Sequence, residues 1–331
     1  MEAYCESLAA YWHPVIAEAA VGDRPAAVEL LGRRLAVARV EGRLVIFDDL
    51  CRHLGAALSQ GAITDEGRLR CAYHGWTYDS EGRCVDIPAR RGLPIPREAR
   101  VRTYPTVARY GLVWVCLAAE PPAGIPEFPE YDDAEFRVAP LREYRGWAAS
   151  APRIVMGALD DTHFAWVHPG LLGDPAHPEP PDHQAWVEDG RMVSTYRILQ
   201  PANSSIGGDA GGSNQLEEVA YTNYATPTTI RLIKAAPAGQ YVIWMGVCPQ
   251  DHDRSIVFLQ VARSFDRDPA RDEQYLQFED RIQAQDRTII EGQRPWLLPP
   301  LSSRLMLYVR PADLPLIVFQ RWLEELGVPQ L

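Results

Sequence analysis

"CRHLGAALSQGAITDEGRLRCAYHGW", residues 51 to 76, places one residue between Cys51 and His53, two between Cys71 and His74, and seventeen between the two pairs. Two thiols and two imidazoles on a pair of short arms can hold a tetrahedral zinc. They can equally hold a [2Fe–2S] cluster, with two thiolates on one iron and two imidazoles on the other. Zinc fingers tend to pair like with like, whereas here each arm carries one Cys and one His. Mixed arms suit the two-iron cluster, because each arm then supplies a thiolate to one iron and an imidazole to the other.

The flanking sequence reads as short apolar runs cut by turns. "RLAVARV" and "RLVIF" are separated by Glu41-Gly42, "WTYDSEGRCVDI" turns at Asp79 to Gly82, and "YGLVWVCL" follows, so residues 1 to 120 are expected to form a small all-β domain. A proline-rich stretch, "AAEPPAGIPEFPEYDD" at 118 to 133, suits a linker spanning 121 to 140. The remainder, 141 to 331, mixes element types. Strand-like runs occur at "RMVSTYRIL", "TIRLIKA", "QYVIWMGVCP" and "SIVFLQVARSF", and a long helix is expected from Pro269 to Glu291, stopped by "QRPWLLPP". The Gly/Ser-rich segment 203 to 215 is expected to be a mobile loop that could act as a lid.

With 331 residues, two domains are the starting expectation. Against 33 basic side chains stand 44 acidic ones, a formal charge of -11, and no stretch concentrates Lys and Arg, so nucleic acid is not an expected partner. The first residues carry two Glu and no basic region before an apolar one, and no run is long enough to span a bilayer, which points to a cytoplasmic chain that does not enter a membrane. Six cysteines do not make a disulfide scaffold here, and Cys5, Cys84, Cys116 and Cys248 read as free thiols.

A cluster moves one electron at a time and needs an acceptor. "ALDDTHFAWVHPG", 158 to 170, offers Asp160, His163 and His168. On a helix through 155 to 167, Asp160 and His163 would share a face, and Pro169 would force His168 out at its end. Two imidazoles and a carboxylate with open positions are the usual setting for Fe(II) that activates dioxygen. Set among Phe164, Trp166 and Val167, the same histidines could instead be buried packing residues. For the carboxylate, the helical period puts Asp286 on one face with Phe278, Ile282 and Ile289, where a charge is costly unless paired or bound to metal. Glu279 is the runner-up, and Asp280 fits a solvated surface charge.

These motifs resemble the Rieske non-heme iron oxygenases, terminal oxygenase components with a Rieske domain followed by a mononuclear-iron domain, and the resemblance covers nearly the whole chain. Family members usually read Cys-x-His-Arg-Gly and Cys-Pro-x-His-Gly-Trp; Leu54 and Ala72 depart from this. The family's Asp-x2-His-x4-His is matched at 160, 163 and 168. The resemblance implies an α+β protein, an all-β Rieske domain before a helix-grip catalytic domain. It implies a [2Fe–2S] cluster at Cys51, His53, Cys71 and His74, and a mononuclear Fe(II) at His163, His168 and a late-helix carboxylate, here Asp286 in "QDRTIIEGQ". Asp160 would not be a ligand but would link His163 to His74 of a neighbouring subunit in a head-to-tail homotrimer. Gly157 stands where many relatives carry Asn, which would leave room near the metal.

"YGLVWVCL", "HPGLLGD" and "RWLEELGV" look most like the monooxygenase branch that includes saxitoxin-pathway hydroxylases and dicamba- and vanillate-type demethylases. The implied reaction is hydroxylation or oxidative demethylation of a small organic substrate with O2. No Gly-x-Gly-x-x-Gly turn follows a strand and no plant-type Cys-x4-Cys-x2-Cys run is present. Electrons would therefore come from a separate NAD(P)H-dependent reductase, with or without a ferredoxin, docking near Arg52, Arg68 and Arg70. Ring cis-dihydroxylation is the alternative outcome; a Rieske electron-transfer protein and a zinc-stabilised ligand-binding module are the two outside oxygenase chemistry.

Overall fold

The computed structural model describes residues 2–208 and 215–328. The chain divides into two compact units, Leu8–Ile125 and a second made of Met1–Ser7 with Pro126–Leu331. No helix among the described residues is long and apolar enough to cross a membrane.

The unit Leu8–Ile125 is all-β. Its three antiparallel sheets order as Trp12–Ala17, Leu112–Cys116, Thr106–Arg109; as Ala26–Leu30, Arg33–Val40, Arg43–Asp48, Thr103–Tyr104; and as Ala62–Ile63, Leu69–Arg70, Thr77–Tyr78, Cys84–Asp86. The Glu41-Gly42 turn has φ of 52° and 75°, the primed geometry whose twist matches a two-residue hairpin. In "RLAVARV" the run Leu35 to Ala38 is buried without alternation, because apolar groups cover both faces. Leu58, Leu69, Tyr78 and Phe47 enclose Cys51 and Cys71 in the same core.

The second unit is built on one antiparallel sheet ordered Arg137–Val138, Arg254–Arg263, Gly239–Asp251, Thr229–Ala236, Leu216–Thr226, Arg191–Pro201, Gln184–Glu188, with Arg142–Trp147 also pairing the Arg254–Arg263 strand. Among the described residues the helices are α1 (Glu2–Leu8), α2 (Ala151–Leu159), α3 (Phe164–Val167), α4 (Asp272–Ile290) and α5 (Leu314–Glu325). The α+β, helix-grip expectation is met: α4 lies against the sheet. Asp272 takes Arg263 at 2.8 Å, Tyr241 donates to Glu279 at 3.0 Å, and Tyr144 donates to Asp280 at 2.6 Å. Asp280 is thus a paired rather than a freely solvated charge.

The chemistry of the termini explains α4. The Asp268 carboxylate accepts from Ala270 N–H, Pro269 opens a 3₁₀ turn, Asp272 and Glu273 sit in the first turn and Arg287 in the last. The helix proper therefore starts at Asp272 and not at Pro269. Ile289 was expected on the inward face and is 50% exposed, while Ile290 is buried in its place.

Two segments depart from the sequence reading. A single helix through 155 to 167 does not form: α2 ends at Leu159 and Asp160 caps it with ψ of 130°. The Asp160 Oδ1 accepts from both the N–H (2.9 Å) and hydroxyl (2.8 Å) of Thr162, a local alternative that competes with helical hydrogen bonding. In 203 to 215, residues Asn203 to Ile206 are buried and tightly turned, since the Asn203 amide donates to Leu171 and Pro201 carbonyls and accepts from Ser205. They are not a lid; residues 209 to 214 lie outside the described residues.

Candidate functional site

Two like loops present the first constellation. Gly55 N–H donates to Cys51 O at 2.9 Å and Cys51 N–H to Ala56 O at 2.8 Å; Gly75 N–H donates to Cys71 O at 3.1 Å and Cys71 N–H to Trp76 O at 2.9 Å. Both turns close through glycines with φ of 74° and 72°. The buried Asp49 carboxylate braces the first loop, accepting from the N–H and hydroxyl of Ser59, each at 2.7 Å. Both thiols point into the core and both imidazoles stand exposed.

Within this set, like groups meet like. The Nδ1 atoms of His53 and His74 lie 3.1 Å apart, while the Cys51 thiol lies 3.2 Å from Tyr78 OH and near enough to Cys71 for the two thiols to interact electrostatically. Among the described residues, these four do not bring three ligand atoms within 4.8 Å of one another, as a single zinc would need. Two thiols at one end and two imidazoles at the other fit a two-iron cluster. Trp76 stacks on His53 at 4.7 Å and 6° and fixes that ring, a role the sequence reading did not assign.

The second constellation is compact. His163 Nε2, His168 Nε2 and Asp286 Oδ1 form a triangle with sides of 3.2, 2.8 and 3.4 Å, all three within reach of one ion. The far nitrogen of each ring is held: Asp160 Oδ2 lies 3.2 Å from His163 Nδ1, and Gln285 Oε1 accepts from His168 Nδ1 at 2.9 Å. Those contacts keep the Nδ1 proton in place and leave Nε2 free for a metal. Burial opposes charge on His163, but Asp160 and Asp286 outweigh it and push the imidazole up to about 9. Burial likewise opposes the Asp286 charge, and His163 and His168 outweigh it, holding the carboxyl below its usual range. An anionic, imidazole-rich pocket of this kind suits a divalent cation.

The supports of this triangle come from the late-helix motif. Glu291 accepts from Ala148 N–H at 2.9 Å and from Arg287 at 2.7 Å. Gln293 accepts from Arg153, whose buried guanidinium also donates to the Trp296 and Leu297 carbonyls. Glu291 and Gln293 thus clamp the end of α4 to the start of α2. Gly157 lines the cavity beside the triangle, and a Cβ there would lie 2.6 Å from Ile290 Cδ1.

About 500 Å³ of space, part of it open solvent, lies beside the triangle. Phe164, Leu172, Leu232, Ile243, Met245 and Ile282 supply an apolar wall, and Tyr221, Lys234, Glu279 and Gln283 the polar groups, the usual make-up of a small-molecule site. Tyr221 and Met245 line this space, whereas Trp244 is core, stacked on Phe128 at 5.6 Å. Glu279 is buried beside the site but is not part of the triangle.

Comparison with known proteins identifies the family. The Rieske [2Fe-2S] domain family matches residues 11–105, and the family described as vanillate O-demethylase oxygenase C-terminal domain matches residues 147–327. Methylxanthine N1-demethylase NdmA of Pseudomonas putida is 32% identical over 97% of this chain and 90% of the relative. The structure of Pseudomonas putida CBB5 NdmA with caffeine superposes with a TM-score of 0.84 at 31% identity, covering 98% of this chain and 92% of that one. Dicamba monooxygenase bound to dicamba shares the fold, with a TM-score of 0.78 at 20% identity over 97% of both chains. The chain belongs to the Rieske non-heme iron oxygenases, which carry a [2Fe–2S] cluster and a mononuclear iron and oxidise small organic substrates with dioxygen and electrons from a separate reductase.

Proposed function

We propose that this chain is the terminal oxygenase of a demethylating monooxygenase, with an N-methylated heterocycle as substrate. In this reading Cys51, His53, Cys71 and His74 hold the cluster, and His163, His168 and Asp286 hold the iron. The observation that carries it is the His163–His168–Asp286 triangle opening onto an apolar cavity. When bound, the cluster supplies single electrons and the iron supplies dioxygen activation.

The chain's own residues do the rest. Asp160 and Gln285 fix the two imidazoles in the tautomer that leaves Nε2 free. Phe164, Leu232, Ile243 and Met245 keep water from the reacting carbon. Asp160, on the turn after α2, joins His163 to His74 of a neighbouring chain in a homotrimer, a heterologous interface that closes into a ring. The exposed imidazole edges of His53 and His74 are where electrons enter and leave, from a reductase with or without a ferredoxin. Free, mostly buried thiols support a cytoplasmic setting.

The test is a single turnover of dithionite-reduced holoenzyme in air-saturated buffer, with caffeine as probe. Formaldehyde in equal amount to a demethylated product, with one atom from labelled O2, is expected. A cis-diol, carrying both atoms, would replace this reading by ring dihydroxylation, and product without O2 consumption would overturn it.

A further inference from the structure

Two opposite charges line the cavity without meeting. Lys234 is 2% and Glu279 1% exposed. Each is anchored from behind: Lys234 Nζ donates to Ser205 Oγ at 3.0 Å, and Ser205 Oγ donates to Asn203 at 2.7 Å, while Tyr241 OH donates to Glu279 Oε1 at 3.0 Å. The Glu279 Oε2 atom is buried with no hydrogen-bond partner. Among the described residues no ion pair within 4.0 Å joins the two side chains, although each feels the other's charge.

Burial of this kind is costly. A carboxylate oxygen and an ammonium taken from water without mutual contact each lose solvation that only a bonded partner restores. A purely structural pair would close to contact. This one leaves Glu279 Oε2 without a partner, and Lys234 Nζ, bonded to Ser205 and lying 5.7 and 5.8 Å from the Tyr221 and Tyr241 ring centroids, keeps N–H capacity beyond that one bond; both residues line the same cavity. The opposite charges cancel, so the edge as a whole does not attract a net anion.

We infer that Lys234 and Glu279 form the substrate-recognition edge of the cavity. They bind an uncharged ring that carries an N–H beside a carbonyl, a lactam or imide, with N–H donating to Glu279 Oε2 and Lys234 donating to the carbonyl oxygen. This inference rests on the oxygenase reading and names its substrate class. Glu279 and Asp286 stand seven residues apart on α4, roughly 10 Å along the axis. A ring held by its polar edge at Glu279 therefore presents its opposite edge toward the triangle. A site built to bond an N–H rejects the analogue lacking it far more strongly than an apolar wall rejects one extra methyl.

Calorimetry on anaerobic holoenzyme tests this with three probes. Theobromine has an imide N–H between two carbonyls, caffeine has that nitrogen methylated, and dicamba is an aromatic carboxylate. Theobromine is expected to bind at least about tenfold more tightly than the other two. Glu279→Gln, nearly the same shape, is expected to lose that preference and, with Lys234 no longer neutralised, to bind dicamba at least about tenfold better than wild type. Lys234→Met is expected to weaken theobromine at least about tenfold without that gain. Iron content and melting temperature check that each variant is folded and loaded.

Equal affinity of wild type for the three probes, no binding of theobromine at millimolar concentration, or no change of preference in folded Glu279→Gln would each overturn the assignment and leave the gap to water. Because binding needs no turnover, failure of the demethylation assay with these preferences intact would refute the reaction and not the edge.

Discussion

Gln285 sets the tautomer of His168, and its removal has a calculable effect on iron binding. His168 is fully buried, and its Nδ1 donates to Gln285 Oε1 at 2.9 Å. In Gln285→Ala that acceptor is gone. Without metal the ring can move its proton to Nε2 and donate to Asp286 Oδ1, 2.8 Å away, so the metal-free protein escapes most of the cost. With iron on Nε2 the proton must stay on Nδ1, buried and unsatisfied, at about 1–3 kcal/mol. The cost thus falls on the iron-bound state alone, as roughly 10- to 100-fold weaker iron binding, the size usual for the outer partner of a ligating imidazole. Anaerobic Fe(II) titration against a competing chelator measures it, and the EPR signal of the reduced cluster serves as the internal control. Gln285→Glu, which restores an acceptor, should hold iron at least as well as wild type. Iron affinity within twofold of wild type in Gln285→Ala, or parallel loss of the cluster signal, would refute the reasoning.

Asp160→Asn should keep both metals yet slow reoxidation of the reduced cluster by substrate and O2 by about tenfold or more, seen by stopped-flow absorbance; unchanged reoxidation would remove Asp160 from the electron path. Gly75→Ala places a Cβ 3.0 Å from Pro88 at φ of 72°, and should cost about 1–3 kcal/mol and lower cluster content, read by thermal melts and sulfide analysis. His13, fully buried with Nε2 2.8 Å from Leu8 O, is pushed down to about 4 by burial, against that hydrogen bond. The folded chain then binds fewer protons than the unfolded one between pH 6.5 and about 4, so stability is lost as pH falls through that window, by about 3 kcal/mol in full. His13→Gln should flatten this part of the pH profile in urea melts of the holoenzyme, and a profile as steep as wild type would contradict it.

What the sequence makes legible here is local. Cys51, His53, Cys71 and His74 sit on short loops, and the mixed Cys and His make-up of each arm favours a two-iron cluster over a zinc finger. The runs at 191–199, 229–235, 240–249 and 255–265 became strands because apolar residues and turn chemistry agree over a few positions. Strand Leu216–Thr226 escaped notice because its inward positions carry Ala, Tyr and Asn beside Val, so alternation of burial is not alternation of hydropathy. The Asp160 break was missed because an Asx turn depends on which way one carboxylate rotates, and helical periodicity does not report that. Gln285 and the Lys234–Glu279 edge escaped for a different reason: both are tertiary. Lys234 comes from a strand, Glu279 from α4, and only the folded sheet brings them to one cavity.

Iron and sulfide analysis with EPR on anaerobically purified wild type and Asp286→Ala tests the two-site account most directly. About three irons and two sulfides per chain are expected in wild type, with a reducible cluster of low average g value. Asp286→Ala should lose about one iron while keeping sulfide and the cluster signal unchanged. Full retention of iron in Asp286→Ala, or a colourless wild-type protein that carries zinc, would contradict the account.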